Sequence, residues 1–276
     1  MRAVTFSEFG GPEVLTVSDL PEPQPSAGEV RIRVAAATVN PTDIGFREGR
    51  QAGQLAATGA RAPYVPGMEL AGVVDAAGDG AGWSVGDRVM AIVNPRRAGG
   101  GAQAELVVVP AASVARAPAG SSLVEAATLP MNGLTVQLAL DLLKLSPGQT
   151  LCVTGAAGAV GGYAVQLGAE AGLRVIAVAA AADEALLRGF GAEAVVPRGE
   201  EAARRVREIA PAGVDGLIDA AVIGPPILPA VRDGGRLAAV RPFAGDSERG
   251  IEVLLVRVTE YLTNQAALAR LARIMQ

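Results

Sequence analysis

Residues 151–162 read Leu-Cys-Val-Thr-Gly-Ala-Ala-Gly-Ala-Val-Gly-Gly: an apolar run, a glycine-rich turn, and small residues that suit the start of a helix. A turn of this kind lets the backbone approach a diphosphate closely, and the free N–H groups of the following helix then bind the anion. The spacing of the three turn glycines is one residue longer than the strict G-x-G-x-x-G fingerprint. Small residues at such a junction also serve close packing, but a second strand pattern at residues 174–179 favours nucleotide binding. The residues predicted to cradle the diphosphate are Gly155, Ala156, Ala157, Gly158, Ala159, Val160 and Gly161.

The end of the second strand predicts which nicotinamide cofactor is used. An acidic residue there would bond the ribose 2′-OH of NADH, but the chain has Val178 and Ala179 followed by two more alanines. We therefore expect Val178 and Ala179 to border the cofactor, and the missing carboxylate favours NADPH. No basic residue stands beside the strand end in the sequence. Arg188 or Arg198 would reach it only if the fold brings them there, so a weak or dual preference stays open.

Composition excludes several classes of protein. The 276 residues are long enough for two domains, half of them are hydrophobic, and the net charge is −4. The absence of a basic block argues against a nucleic-acid partner. No apolar run is long enough for a membrane span, and the N-terminus lacks the features of a signal peptide. We expect a soluble cytoplasmic protein without a membrane partner.

The chain has no histidine and a single cysteine. Neither a Ser-His triad nor a Cys/His zinc site can be built from such a chain, so no metal is predicted. The one cysteine also excludes an internal disulfide. Chemistry must then depend on a bound cofactor together with Asn, Thr, Tyr, Asp or backbone groups.

The predicted secondary-structure pattern changes along the chain. Short strands punctuated by glycine and proline at residues 30–39, 70–77, 88–93 and 105–109 predict a partly open barrel. After helical patterns at 122–129 and 132–143, strands and helices alternate, which predicts a doubly wound parallel sheet. The predicted strands are 150–154, 174–179, 194–196, 216–220 and 236–240, and the predicted helices are 159–171, 183–190, 200–209 and 226–231, with a last helix over 264–276.

Several motifs, in order, resemble one family. The chain is similar to the zinc-free quinone oxidoreductase branch of the medium-chain dehydrogenase/reductase superfamily. Where zinc-dependent members have a Cys and a His, this chain has Asn40 or its neighbours and Met68. The matching motifs are Met1–Val4 with Phe9–Leu15, Val39–Asp43, Val65–Val74, Val85–Val89, Leu129–Thr135, the glycine turn and Asp233–Leu237.

The resemblance implies a fold and a domain layout. It implies a GroES-like β-barrel substrate domain over residues 1–118, followed by a doubly wound parallel Rossmann NADP-binding domain over 119–262. Residues 263–276 would begin a C-terminal segment that returns to the first domain and that we expect to be truncated. The resemblance also implies a homodimer joined through the edge of the nucleotide-domain sheet.

The resemblance also implies site residues, each with a structural alternative. Asn40 and Asp43 would be catalytic, although an Asn-Pro-x-Asp turn is equally typical of local chemistry. Thr135 would be catalytic and Asn132 would bind the cofactor, with helix capping as the alternative. The remaining implied residues are Ala221 and Val222 beside the nicotinamide, where plain strand core is the alternative, and Phe46 and Tyr64 in the substrate pocket, where core packing is the alternative.

These observations predict an NADPH-dependent reductase of a small-molecule quinone or related conjugated carbonyl. A quinone accepts a hydride as a stabilised phenolate, which needs no nearby acid, whereas an isolated ketone yields a basic alkoxide that normally needs zinc or an acid. Two alternatives stay open: reduction of a 2-enoyl thioester or enone, and binding of NADPH as a sensor or scaffold without significant turnover.

Overall fold

Antiparallel strands fill the first part of the chain and parallel strands the second, in a computed structural model that describes residues 1–50 and 52–274. One unit comprises Met1–Leu134 with Thr259–Gln276, and the other comprises Thr135–Val258. The first unit thus extends past residue 118, the predicted end of the first domain, and takes in the C-terminal segment.

The strands and helices have the following bounds. The strands are β1 (Arg2–Thr5), β2 (Thr16–Asp19), β3 (Glu29–Ala37), β4 (Glu69–Ala77), β5 (Arg88–Ile92), β6 (Leu106–Pro110), β7 (Val114–Arg116), β8 (Thr150–Thr154), β9 (Arg174–Ala179), β10 (Ala194–Pro197), β11 (Val214–Asp219), β12 (Val231–Ala239) and β13 (Glu252–Leu255). The α-helices are α1 (Pro41–Arg47), α2 (Leu123–Ala126), α3 (Pro130–Leu143), α4 (Ala159–Glu170), α5 (Glu184–Gly189), α6 (Ala202–Ile209) and α7 (Gln265–Ile274). Short 3-10 helices cover Pro12–Val14, Ala52–Thr58, Ala111–Ser113, Ala181–Asp183, Pro225–Ala230 and Val258–Tyr261. Within the described ranges, every helix is too short or too polar to cross a bilayer.

The first unit is built on antiparallel sheets. β1 pairs with β2, and the five-stranded sheet has the order β6-β3-β4-β5-β7. Alternation along β3 explains its two faces, because Val30 and Ile32 are fully buried while Arg31 and Arg33 both pair with Asp75. The burial of one face drives the sheet to pack, whereas the charged face is partly covered and its carboxylate is paired with two arginines.

The second unit contains a six-stranded parallel sheet of order β10-β9-β8-β11-β12-β13. Numbered from its first strand, this is the doubly wound order 3-2-1-4-5-6 of dinucleotide-binding domains. All five residues of β8 are buried, as expected for a central strand covered on both faces. The strand order reverses between β8 and β11, so the carboxyl ends of these two strands border a crevice that suits a ligand.

The predicted elements agree with the structure where apolar periodicity is strong. The bounds of β8 and β9 are as predicted. Helix α7 begins at Gln265, one residue later than the last predicted helix, and the final two residues of that prediction lie outside the described residues. The helix predicted over residues 226–231 was wrong. The segment is the 3-10 helix Pro225–Ala230, because Pro229 lacks the N–H that an α-helix needs, and Val231 already begins β12.

Candidate active site

The glycine turn joins β8 to α4 in the second unit. Gly155 has a φ of +58°, a left-handed conformation that favours glycine. A Cβ added at Gly161 would lie 2.1 Å from the carbonyl oxygen of Gly155 and 2.6 Å from the Cα of Ala156. Only glycine therefore lets α4 pack this closely on the turn, which is the role of the third glycine in a dinucleotide fingerprint.

The turn presents its tip to solvent. Ala157, Gly158 and Ala159 are exposed, whereas Ala156 is fully buried and its N–H donates to the carbonyl of Val178 at 3.1 Å. Gly158 is the N-cap residue of α4, in an extended conformation. The exposed backbone at the start of a helix can accept a diphosphate. Of the predicted cradle residues, Ala157, Gly158 and Ala159 are exposed, Gly155 and Val160 are partly exposed, and Ala156 and Gly161 are buried.

A second feature of the crevice is a pair of buried polar residues at the ends of β8 and β11. Thr154 donates its hydroxyl to Asp219 Oδ1 at 2.7 Å, and the two side chains are 0% and 2% exposed. Thr154 Oγ1 accepts from the N–H of Ala221 at 3.0 Å. The carboxylate of Asp219 accepts from the N–H groups of Ile223 and Gly224 at 3.0 and 2.9 Å. Together the two side chains bind the backbone that follows β11.

Between these bound amides lies Val222, which has a φ of +56°. A β-branched residue rarely adopts this conformation, and such strain costs about 1–3 kcal/mol. Val222 is 52% exposed. The neighbouring Ala221 touches the glycine turn closely, since a Cβ on Gly155 would lie 3.2 Å from both the Cβ and the N of Ala221.

Arg198 lies beside the carboxyl end of β9, the second strand of the parallel sheet. β10 pairs in parallel with β9, and Arg198, the residue after β10, donates its N–H to the carbonyl of Ala179 at 2.8 Å. Val178 and Ala179 themselves are buried, at 1% and 4% exposure. Arg198 is exposed and borders a cleft of about 610 Å³. The cleft is lined by Arg198, Gly199, Glu200, Ala202, Ala203, Ala221, Ile223, Pro226 and Ile227.

A buried carboxylate organises a separate cluster in the first unit. Glu69 is 0% exposed, and its Oε1 accepts from the Thr38 hydroxyl at 2.6 Å and from the Asn40 amide at 2.9 Å. Its Oε2 accepts from the N–H of Met131 at 2.7 Å, in the first turn of α3. Asn132 donates more weakly, at 3.4 Å to Glu69 and 3.5 Å to Asn40 Oδ1. An anion at this helix N-terminus is well placed for the helix dipole.

Burial dominates the electrostatics of Glu69. Loss of water raises the pKa of its carboxyl, and the negative charge of Asp43 raises it further, while the hydrogen bonds from Thr38, Asn40 and Met131 lower it. Burial likewise raises the pKa of Asp43. The cluster therefore contains two acids that are harder to ionise than ordinary carboxyls.

Asn40 and Asp43 both make structural hydrogen bonds. Asp43 is 5% exposed and accepts from the backbone N–H groups of Asn40 at 2.8 Å and Gly67 at 2.9 Å. Asn40 is 7% exposed, and its amide group donates to Thr38 Oγ1 at 2.8 Å as well as to Glu69. Since an amide group has two N–H donors, both are used here, which limits what Asn40 can donate to a substrate.

The other predicted site residues lie in packed surroundings. Phe46 is 3% exposed and its ring centroid lies 5.7 Å from that of Tyr64. Both rings also contact Phe6, at 5.1 and 5.3 Å, so they belong to an aromatic cluster in the first unit. Asn132 and Thr135 lie on α3 and are 6% and 8% exposed. These roles in binding or catalysis stay predictions.

Sequence reasoning missed Glu69, Thr154 and Asp219 as site residues. A detectable signal existed for two of them, because Thr154 and Asp219 are polar residues that directly follow apolar residues at the carboxyl ends of their strands. Glu69 begins its strand, but its partners Thr38 and Met131 are far away in sequence. Cys152, in contrast, lies in β8 as predicted, where burial and then the charge of Asp219 raise the pKa of its thiol to about 12.

The sequence is similar to a known domain family and to several known proteins. Residues 26–119 match the alcohol dehydrogenase GroES-like domain family. A quinone oxidoreductase of Pseudomonas aeruginosa is 34% identical over 215 residues, which cover 75% of this chain and 62% of that protein. A synaptic vesicle membrane protein VAT-1 homolog-like of Mus musculus is 38% identical over 169 residues, which cover 60% of this chain and 38% of that protein. The chain thus spans less than two thirds of the length of either relative.

A solved structure covers nearly the whole chain. The crystal structure of a probable oxidoreductase from Mycobacterium abscessus has a TM-score of 0.80 and 31% identity, covering 98% of this chain and 87% of that one. The chain belongs to the medium-chain dehydrogenase/reductase superfamily, in its zinc-free quinone oxidoreductase-like branch. The predicted fold, a GroES-like domain followed by a Rossmann domain, is confirmed. Membership also supports a nicotinamide cofactor.

Proposed function

We propose that the chain is an NADPH-dependent, zinc-independent reductase of quinones. The observation that carries the proposal is the glycine turn at the point where the order of the parallel sheet reverses, in a chain of this family. The turn fits a dinucleotide, since Gly161 leaves no room for a side chain and the exposed tip offers backbone N–H groups to a diphosphate.

NADPH rather than NADH is proposed from the charges around the end of β9. No acidic side chain follows Ala179 directly in the sequence, so the usual carboxylate partner of a ribose 2′-OH is missing at the strand end, although Glu200 lines the same cleft as Arg198. Arg198 is held beside Ala179 by a backbone hydrogen bond and is exposed at the border of the cleft. A guanidinium suits a phosphate because it donates several hydrogen bonds from a planar group. The apolar lining residue Ile227 would then contact the adenine, whereas Ala221 stays the residue proposed beside the nicotinamide.

The quinone substrate is proposed from the chemistry that the residues permit. When bound, the cofactor supplies a hydride, and the chain supplies binding, orientation and exclusion of water. A chain without histidine suits an acceptor whose reduced form is a stabilised anion, because that anion can take its proton from water. The named activity of the Pseudomonas relative agrees with this choice. Asn40, Asp43 and Thr135 as catalytic residues, and Phe46 and Tyr64 as substrate contacts, remain part of the proposal.

The test is the oxidation of NADPH in the presence of 1,4-benzoquinone, followed by the absorbance of the reduced nicotinamide. Quinones react slowly with NADPH unaided, so a control without enzyme sets the baseline. We expect a saturable, enzyme-dependent rate that is higher with NADPH than with NADH. A conjugated enone is assayed in parallel. Turnover of the enone alone would replace the quinone by a conjugated alkene, and binding of NADPH without any turnover would contradict a reductase.

A further inference from the structure

The segment after β11 is held in a strained conformation by two side chains that lie beneath it. Three of its amides, those of Ala221, Ile223 and Gly224, donate to Thr154 or Asp219 at 2.9–3.0 Å. The residue in the middle, Val222, has a φ of +56°. The backbone at Val222 would relax to a negative φ if the flanking amides were released, since only glycine adopts positive φ freely.

The place of this segment in the fold suggests why the strain is retained. It follows the strand next to β8 at the reversal point of the sheet, and Ala221 packs against the first glycine of the turn. Ala221 and Ile223 also line the cleft that borders Arg198. The conformation of these few residues therefore sets one wall of the proposed cofactor site.

We propose that Asp219 and Thr154 are positioning residues that hold residues 221–224 in the conformation that binds the cofactor. The proposal rests on the proposed function, because it assumes that a nicotinamide dinucleotide occupies the crevice. Thr154 links the two parts of the arrangement, because its hydroxyl donates to Asp219 while its oxygen accepts from the N–H of Ala221. Neither side chain needs to touch the cofactor, since both act through the backbone that they bind.

The decisive variant is Thr154→Val, which keeps the shape of the side chain but removes its donor and its acceptor. If the binding conformation then becomes a minority state, the apparent Kd rises in inverse proportion to its population. We expect the Kd for NADPH in calorimetric titration to rise about ten-fold. Hydrogen exchange of residues 220–225 in the free protein should accelerate as well. Thr154→Ser keeps the hydroxyl and should bind as the wild type does.

A second substitution tests the strain directly. Glycine adopts positive φ without cost, so Val222→Gly in the Thr154→Val background should recover much of the lost affinity. Asp219→Asn should weaken binding as Thr154→Val does, because one of its two acceptor oxygens becomes a donor.

The matched control lies at the other end of the same strand. Asp215 also makes a hydrogen bond to β8, since its carboxylate accepts from the N–H of Thr150 at 2.9 Å. It lies at the amino ends of the parallel strands, away from the crevice at their carboxyl ends. Asp215→Asn should lower the melting temperature and leave the Kd unchanged.

A Thr154→Val protein that loses stability but binds NADPH with the wild-type Kd would overturn the positioning role alone. A wild-type protein that binds neither NADPH nor NADH would overturn the proposed function, and the positioning role with it.

Discussion

Arg198 is the residue whose positive charge supports the proposed cofactor preference. Its guanidinium would make charge-assisted hydrogen bonds to a 2′-phosphate, and removal of such bonds costs about 1.5–3 kcal/mol, or about ten-fold or more in Kd. We expect Arg198→Ala to raise the Kd for NADPH by about ten-fold or more and to leave the Kd for NADH nearly unchanged. Calorimetric titration with both nucleotides measures the two constants.

The matched control for Arg198 is another exposed arginine of the same unit. Arg174 begins β9, at the opposite edge of the sheet, and pairs with Glu193. Arg174→Ala should leave both constants as in the wild type. Equal losses of NADPH and NADH affinity in Arg198→Ala would show that the residue supports the fold of the cleft rather than selecting a phosphate.

Glu69 gives the first unit a pH dependence of known sign. Burial raises the pKa of its carboxyl, so the folded protein retains a proton that the unfolded chain has already lost. The free energy of unfolding must then fall as pH rises from the ordinary carboxyl pKa through the raised value. We expect the wild type to lose stability relative to Glu69→Gln over this interval, measured by urea unfolding at a series of pH values.

For the exposed Glu105, we expect a pH dependence of the free energy of unfolding with the opposite sign. Hydrogen bonds from the backbone N–H and the side chain of Arg2 lower the pKa of Glu105. Its contribution is present above the ordinary pKa and lost as pH falls through the lowered one, so the wild type should gain relative to Glu105→Gln as pH rises. If the Glu69→Gln comparison had this same sign, Glu69 would have a lowered pKa and the account of its burial would be wrong.

Among the contacts between secondary-structure elements, that between α4 and the glycine turn is so close that adding one methyl group, as in Gly161→Ala, should disrupt it. In Gly161→Ala the new Cβ would lie 2.1 Å from a backbone oxygen that cannot rotate away. We expect a loss of about 1–3 kcal/mol or more in the free energy of unfolding, together with loss of NADPH binding. Gly189→Ala in α5 is the control, since its Cβ would meet no atom within 4 Å. It should be neutral or stabilise slightly, and comparable damage from both variants would contradict the packing argument.

Helix α7 belongs to the first unit through its apolar face. Leu268 and Leu271 are 1% and 0% exposed, and the side chain of Gln265 donates to the carbonyls of Ala111 and Val114 at 3.1 and 3.0 Å. Leu271→Ala should lower the free energy of unfolding by about 2–5 kcal/mol, because a buried leucine leaves a cavity. The exposed Arg273→Ala should change it by less than about 0.5 kcal/mol. A small effect of Leu271→Ala in thermal unfolding would mean that α7 is not part of the core.

Elements were predictable from the sequence where one local signal dominates. β8 and β9 follow from buried apolar runs bounded by turn residues, and their bounds agree with the structure. The segment 226–231 has helix-compatible composition, yet Pro229 and the pairing of Val231 with Val214 prevent an α-helix. That pairing depends on a partner strand, which periodicity within a short window does not contain.

At the scale of the whole molecule, the two-part architecture could be predicted, but the side-chain clusters could not. The change from an antiparallel to a parallel sheet is indicated by the spacing of the predicted strands and of the glycines. The Glu69 cluster joins residues from β4, the segment before α1 and the start of α3, and no local pattern relates these positions. Arg198 was recognisable only as one of several arginines until pairing of β9 with β10 placed it beside Ala179.

The parallel sheet also leads to an expectation about assembly. In the described part of the chain β13 forms one edge of the sheet, and its Val253 and Leu254 are only half-buried. Such an edge is a template for pairing with another strand, and the two-fold dimer that the family resemblance implies would cover it. We expect light scattering to give twice the 27.8 kDa mass of the chain. A monomer at all concentrations would contradict this expectation.

An equilibrium titration of the wild-type protein with NADPH and with NADH tests the proposed cofactor site without relying on any variant. The glycine turn, the proposed positioning of residues 221–224 by Thr154 and Asp219, and Arg198 would all belong to the proposed cofactor site, and each would change the same quantity, the free energy of binding. We predict saturable binding of one NADPH per chain with a lower Kd than that for NADH. Failure to bind either nucleotide, or tighter binding of NADH, would contradict it.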